Sequence, residues 1–168
     1  FMLLMPFKLL RIKKNIKSDD VRILDVGCGN HSPSKIKSWF PNSIYHGIDK
    51  TIYNMTQKDM LASDQYITLD LDNSDLSEIL DSSYDVILFS HVIEHLHEGE
   101  FVLKMLINKL KSGGLIYIET PSERSLHFPS GKGTLNFYDD KTHVKLYRSD
   151  TIESICNNAN IKCLESGI

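Results

Sequence analysis

Short apolar runs rich in β-branched and aromatic residues alternate along this 168-residue chain with helix-length amphipathic stretches, which predicts an α/β domain: a doubly wound, mostly parallel sheet with helices on both faces. VRILDV at 21–26 predicts a first strand. The following GCGNHSPSKIKSWF turns into a helix, with Ser32 as its expected N-cap and Pro33 at the first helical position. Further strands are predicted at 43–48, 66–69 and 84–89. A helix at 100–111 places Val102, Met105, Leu106 and Leu110 on one face and stops at Gly113-Gly114, where glycine accepts a left-handed cap; a strand at 115–119 follows at once. Residues 121–147 lack periodicity and read as a long loop. A last helix is expected near Asp150, whose spacing to Glu153 is that of a capping box, and a sixth strand at 161–165.

This length and composition, 41% hydrophobic and 24% charged, suit one domain spanning 1–168, with residues 1–20 as an N-terminal extension. The stretch FMLLMPFKLLRIKKNIK is apolar first and basic afterwards, the reverse of a signal peptide, and its apolar run falls far short of the roughly 20 residues that span a bilayer. It reads as a cover for the edge of the core, with a membrane-surface helix as the alternative, because Lys8, Arg11, Lys13, Lys14 and Lys17 follow the apolar part. A net charge of -3 supplies no overall field for polyanions, so nucleic acid is not an expected partner. Cys28, Cys156 and Cys163 have no paired metal spacing and suggest no disulfide framework, which makes the cytoplasm the expected compartment.

In open α/β sheets, ligands sit at the carboxyl ends of the strands where strand order reverses. Asp25, Gly27, Gly29, Asn30, Asp49, Asp70, Ser90 and His91 should converge there. Gly27 and Gly29 let a ligand approach the backbone. The third glycine of a dinucleotide fingerprint is replaced by Ser32, and Asp25 would repel a pyrophosphate yet favour an ammonium group. S-adenosylmethionine has that ammonium and no phosphate. Asp49 stands at the distance after the glycine turn where an acidic residue accepts bonds from ribose hydroxyls, a feature shared by adenosine cofactors generally. Asp70 can accept from an adenine amino group, beside an apolar wall from Leu69 or Leu71.

In order and spacing, ILDVGCGN, the GID ending at Asp49, the LDLD containing Asp70, YDVILFSHVIEHL and LKSGGLIYIETP resemble the class I S-adenosylmethionine-dependent methyltransferases over about residues 21–166. SHVIEHL with the later THVKLY is similar to the broad branch, of type 11, 12 or 23, that methylates small molecules, lipid quinones or sugars. The resemblance implies a Rossmann-like fold. It also implies a donor site formed by Asp25, Gly27, Cys28, Gly29 and Asn30 near the methionyl part, Asp49 and Lys50 at the ribose, Asp70 and Leu71 at the adenine, and Ser90 and His91 lining the site. S-adenosylhomocysteine would be the product. His95 and His143 are the candidate general bases, since imidazole changes protonation near neutral pH. His91, Glu94, His95 and His143 also have donor atoms for a metal and loosely resemble the metal-dependent small-RNA methyltransferases. That pattern has a glutamate where this chain has His91, so no metal is assigned. If 92–96 is helical, His91 and His95 share a face that Glu94 lies off. His97 is assigned no role.

Residues 121–147, with Arg124, His127, Phe128, Phe137, Tyr138 and His143, are the expected acceptor-binding loop, the alternative being an insertion packed on the domain edge. The expected acceptor is a small hydroxylated molecule or a glycan, methylated on oxygen. A nicotinamide-dependent oxidoreductase or epimerase and a non-catalytic methyltransferase-like binding subunit remain as alternatives. Members of the family usually finish with a reversed seventh strand between the fifth and sixth, so further chain is expected beyond Ile168.

Overall fold

The computed structural model describes residues 5–131 and 135–167. The start of the N-terminal extension and the centre of the 121–147 loop therefore lie outside the described residues. In chain order the elements are α1 (Phe7–Asn15), β1 (Arg22–Val26), α2 (Ser32–Trp39), β2 (Ile44–Asp49), α3 (Gln57–Ala62), β3 (Gln65–Thr68), β4 (Tyr84–Ser90), α4 (Gly99–Lys109), β5 (Leu110–Glu119) and α5 (Ser149–Asn158). Short 3-10 turns occur at Ile93–His95, Glu123–His127 and Phe137–Asp139.

The five strands form a wholly parallel sheet of order β3-β2-β1-β4-β5, so the alternation of strand and helix predicted the architecture correctly. Strand order reverses at β1. Ile23 lies between Tyr45 and Val86, and Val26 between Ile48 and Phe89. Alternate residues serve opposite cores. Ile23, Tyr45, Val86 and Leu88 pack with Leu9 and Ile12 of α1, Ile36 of α2 and Phe40. Leu24, Val26, Ile48, Ile87 and Phe89 pack with Val102, Leu103, Leu106 and Ile107 of α4 and with Ile155 and Cys156 of α5. Two-sided burial explains why these strands are nearly continuous apolar runs.

Several local expectations are corrected. The N-cap of α2 is His31, not Ser32, because the Ser32 hydroxyl is drawn to Asp25. α5 begins at Ser149 after Arg148, and the Asp150–Glu153 capping box does not form, Asp150 being already inside the first turn and bonded by Arg148. Gly113-Gly114 does not end α4. The helix stops at Lys109, and the glycines lie in an irregularity of β5, where Tyr84 pairs with Leu110 but Val86 with Leu115; Gly113 there has φ +78°. α3 has no strong periodic signature and is set by a capping box between Thr56 and Asp59.

The sixth strand expected at 161–165 is absent among the described residues. A strand requires a hydrogen-bonded neighbour. Here residues 160–167 face β5 across a groove of about 920 Å³ instead of pairing with it. The groove reaches the carboxyl end of β5 at Glu119.

Candidate active site

The turn after β1 is held by its neighbours. The Gly27 and Cys28 amides donate to Ile48 O at 2.8 and 3.1 Å, and the Gly29 amide donates to Asp49 Oδ2 at 2.9 Å. Gly27 has φ +76°, and a Cβ there would stand 2.4 Å from Val92 Cγ2. Asn30 and His31 follow with φ +56° and +65°. Asn30 donates its amide to Tyr53 O at 3.1 Å and accepts Asn54 Nδ2 at 2.8 Å.

A buried carboxylate below this turn fixes α2 against α3. Asp59 is fully buried, 2.7 Å from His31 Nδ1, and accepts Ser34 Oγ at 2.5 Å together with the amide and hydroxyl of Thr56. Burial alone would raise its pKa, but these bonds outweigh it and hold the carboxyl below the usual range.

Asp25 lies beneath the turn, 4% exposed. Its Oδ2 accepts Ser32 Oγ at 2.5 Å and Tyr45 Oη at 2.6 Å. Burial raises its pKa despite these two bonds. Cys28 contributes only its backbone to the turn. Its thiol is buried in the core under Gly47, where a Cβ would stand 2.5 Å from Sγ, and burial with nearby Asp25 pushes the thiol up to about 12.

At the ends of β2 and β3, Lys50 Nζ pairs with Asp70 Oδ2 at 2.9 Å. Asp70 also accepts Asn73 Nδ2 at 3.0 Å and the Asp72 amide at 3.2 Å, so much of its bonding capacity is spent within its own turn. Leu71 is buried in the core. His97, assigned no role from sequence, has its amide on Asp72 Oδ1 at 2.9 Å and its Nδ1 3.1 Å from Oδ2, which ties the loop after β4 to the loop after β3.

Beyond β4 the chain makes a 3-10 turn, in which positions three apart are stacked. His91, just before that turn with φ +55°, meets Glu94, at 3.3 Å from Nδ1 to Oε1, and not His95 as a helix would give. The Glu94 bond and Glu119 raise the His91 pKa against the effect of burial. Ser90 Oγ donates to Glu119 Oε2 at 2.8 Å, and the His91 amide to Glu119 O at 2.7 Å.

His95 instead joins His143 of the 121–147 segment, with ring centroids 4.8 Å apart. That segment is docked by the Val144 and Lys145 amides on Glu94 O, at 2.8 and 3.2 Å. His95 Nδ1 lies 2.9 Å from Thr142 Oγ1, whose one hydroxyl proton is donated to Asp140 Oδ1 at 2.6 Å. Thr142 must therefore accept from His95 Nδ1–H, leaving the Nε2 lone pair free. His143 Nδ1 faces Phe137 O at 2.6 Å, so it also donates from Nδ1 and keeps its lone pair on Nε2. Its ring stacks on Phe137 at 4.5 Å. Of the other loop residues named from sequence, Arg124, His127, Phe128 and Tyr138 are exposed.

Sequence reasoning did not select Glu119, Asp59, Asp140 or Thr142, and weighed Glu94 only as a metal donor. The signals available were a carboxylate inside the apolar VIEHL and the Asx-turn spacing of DDKT.

A parallel 3-2-1-4-5 sheet with a glycine turn after β1 and an acidic end to β2 is the Rossmann-like arrangement of the class I methyltransferases. The "Methyltransferase domain" family, type 23, matches residues 5–166, and the chain belongs to it. It is similar to a ubiquinone biosynthesis O-methyltransferase from Pelagibacter ubique, 26% identical over 127 residues, covering 68% of this chain and 52% of that protein. A crystal structure of a SAM-dependent methyltransferase from Archaeoglobus fulgidus matches with TM-score 0.62 and 24% identity, covering 89% of this chain and 66% of that one. Phosphoethanolamine N-methyltransferase 2 of Haemonchus contortus, in complex with S-adenosyl-L-methionine, matches with TM-score 0.62 and 20% identity, covering 90% of this chain and 36% of that one. The chain thus spans about half the length of the curated relatives it matches. No helix among the described residues is long and apolar enough to cross a membrane.

Proposed function

We propose that this chain transfers the methyl group of S-adenosylmethionine to a hydroxyl oxygen of a small-molecule or glycan acceptor. The observation that carries this reading is the pair of imidazoles, His95 and His143, whose Nδ1 protons are both committed to fixed acceptors and whose Nε2 lone pairs are free to take a proton. The similarity to an O-methyltransferase supports the choice of oxygen.

The residues present fit the donor. A glycine turn flanked by Asp25 and Asp49, with the Lys35 ammonium already held by Asn30 O at 2.9 Å, suits an ammonium and ribose hydroxyls better than a pyrophosphate. Gly27, Gly29 and Asn30 would border the methionyl part, with Asp25 and Ser90 beneath it. Both bonds to Asp25 fall on Oδ2, so Oδ1 is the oxygen for the ammonium. Asp49 would meet the ribose, with Lys50 and Asp70 toward the adenine; Asp70 and Leu71 act there more through the turn they build than as free side chains. His91 is a lining residue held by Glu94 and Glu119.

When bound, the donor supplies a methyl carbon on a sulfonium, and the C–S electron pair stays with sulfur as that bond breaks. His95, backed by Thr142 and Asp140, takes the acceptor hydroxyl proton on Nε2 as the oxygen lone pair forms the new O–C bond. His143 shares the proton or steers the hydroxyl from the facing ring.

The test is S-adenosylhomocysteine release from a panel of catechols, phenols, sugars and amines, with calorimetry against S-adenosylmethionine, S-adenosylhomocysteine and NAD. Turnover with hydroxylated acceptors, lost in Asp49→Ala and in His95→Gln, is the expected result. Turnover restricted to amines would overturn the choice of oxygen, and binding of NAD alone would overturn the donor.

A further inference from the structure

We propose that Lys8, in the first turn of α1, binds the carboxylate of the donor's methionyl part, an assignment that rests on the placement of S-adenosylmethionine given above.

The methionyl part carries an ammonium and a carboxylate on the same carbon. Asp25 Oδ1 serves the ammonium in that placement, so the carboxylate falls next to Asp25, and two like charges so close require a cation between or beside them. Most cations around the turns after β1, β2 and β4 are already engaged. Lys35 Nζ is held by Asn30 O at 2.9 Å, and His31 Nδ1 lies 2.7 Å from buried Asp59. Lys50 Nζ is paired with Asp70 Oδ2 at 2.9 Å. His91 stands between Glu94 and Glu119, at 3.3 and 3.8 Å, so an imidazolium there is balanced by two carboxylates. Lys8 makes neither a hydrogen bond nor an ion pair among the described residues.

The course of α1 brings Lys8 to this place. Leu9 and Ile12 are buried against Ile23 of β1 and Val86 and Leu88 of β4, which anchors the helix on the sheet. Because β1 and β2 are parallel, α2 leaves the glycine turn and ends, at Trp39, toward the amino ends of the strands. Lys13, in the last turn of α1, meets that end: its Nζ is 3.5 Å from Trp39 O and 5.7 Å from the centre of the Phe40 ring. α1 therefore runs against the direction of β1, and Lys8, about 7.5 Å back along the helix axis, stands toward the carboxyl ends.

The half-buried Lys8 ammonium is felt on two strands there. Burial raises the pKa of Asp25, and the Lys8 charge, after the bonds from Ser32 and Tyr45, draws it back. The Glu94 bond raises the pKa of His91, and Lys8 opposes it. One cation thus faces the ends of both β1 and β4, where the methionyl part is placed. A lysine suits this task, since its ammonium is a compact charge on a flexible stem and can follow a carboxylate that is free to rotate.

The experiment compares, by calorimetry, S-adenosylhomocysteine with decarboxylated S-adenosylhomocysteine, which keeps the ammonium and lacks the carboxylate. Wild-type protein is expected to favour the carboxylated ligand about tenfold or more. Lys8→Met, which keeps the aliphatic stem, should lose that preference by weakening S-adenosylhomocysteine alone, with the decarboxylated ligand changed less than about threefold. Lys8→Arg should retain most of the preference, and circular dichroism verifies the fold of both variants. A preference unchanged in Lys8→Met, or equal weakening of both ligands, overturns the role of Lys8, the second outcome marking it as a structural residue. Wild-type protein that binds both ligands equally overturns it without recourse to any variant and leaves the proposed function intact. Wild-type protein that binds neither overturns the donor site of the proposed function and this inference with it.

Discussion

Val92 Cγ2 stands 2.4 Å from the point that a Cβ on Gly27 would occupy, so the turn after β4 closes directly over the turn after β1. Gly27→Ala combines that clash with a backbone at φ +76°, which costs a residue bearing a Cβ about 1–2 kcal/mol. At least a tenfold loss of S-adenosylmethionine affinity is expected by calorimetry, with a lowered Tm. Unaltered affinity would dissociate this turn from the donor site.

Tyr45→Phe removes one of the two bonds on Asp25 Oδ2 while the carboxyl stays buried. The expected loss of stability is about 1–3 kcal/mol, read from urea unfolding. A change near zero would mean that Ser32 alone satisfies Asp25.

Asp59 governs acid stability. Its folded pKa is depressed below 3.8, so the unfolded chain takes up this proton first as pH falls. The stabilisation is complete above that unfolded value and is lost as pH drops through it toward the folded one. Urea midpoints of wild type should decline between about pH 5 and pH 3, and Asp59→Asn should be less stable at neutral pH with a shallower decline. Parallel declines would assign the effect to another carboxylate.

Thr142→Val takes away the acceptor for His95 Nδ1–H and releases the tautomer. A kcat reduced about tenfold is expected, with donor affinity unchanged and Thr142→Ser near wild type. Nitrogen-15 spectra of His95 should show Nδ1 protonated in wild type and mixed tautomers in the valine variant. Equal spectra would remove Thr142 from its positioning role.

Iodoacetamide at about pH 8 should label half-exposed Cys163 in the native protein and spare Cys28, whose thiol is buried and pushed up to about 12. Rapid native labelling of Cys28 would show that the glycine turn opens.

Strands buried on both faces declare themselves in sequence, which is why β1, β2 and β4 are readable, whereas the half-exposed β5 is legible only over its apolar second half. The 161–165 segment has similar composition but needs a neighbouring strand, and pairing is not a local property. Within the site, the glycine turn and Asp49 follow from spacing along one βαβ unit. The contact between His95 and His143 joins segments far apart in the chain, and the burial of Glu94 is a property of the fold that its local sequence does not show. Ser32 was misread because its cap role and its bond to Asp25 compete for one hydroxyl, and only the fold decides.

The central position of β1 also sets an order of assembly. Ile23 is flanked by Tyr45 and by Val86, so β1 is synthesised before either of the strands that enclose it. The glycine turn that follows it gains its cover from Val92 later still. On the ribosome, the proposed donor pocket cannot take shape until β4 has emerged, and until then the nascent chain displays an apolar ribbon that chaperones would be expected to hold.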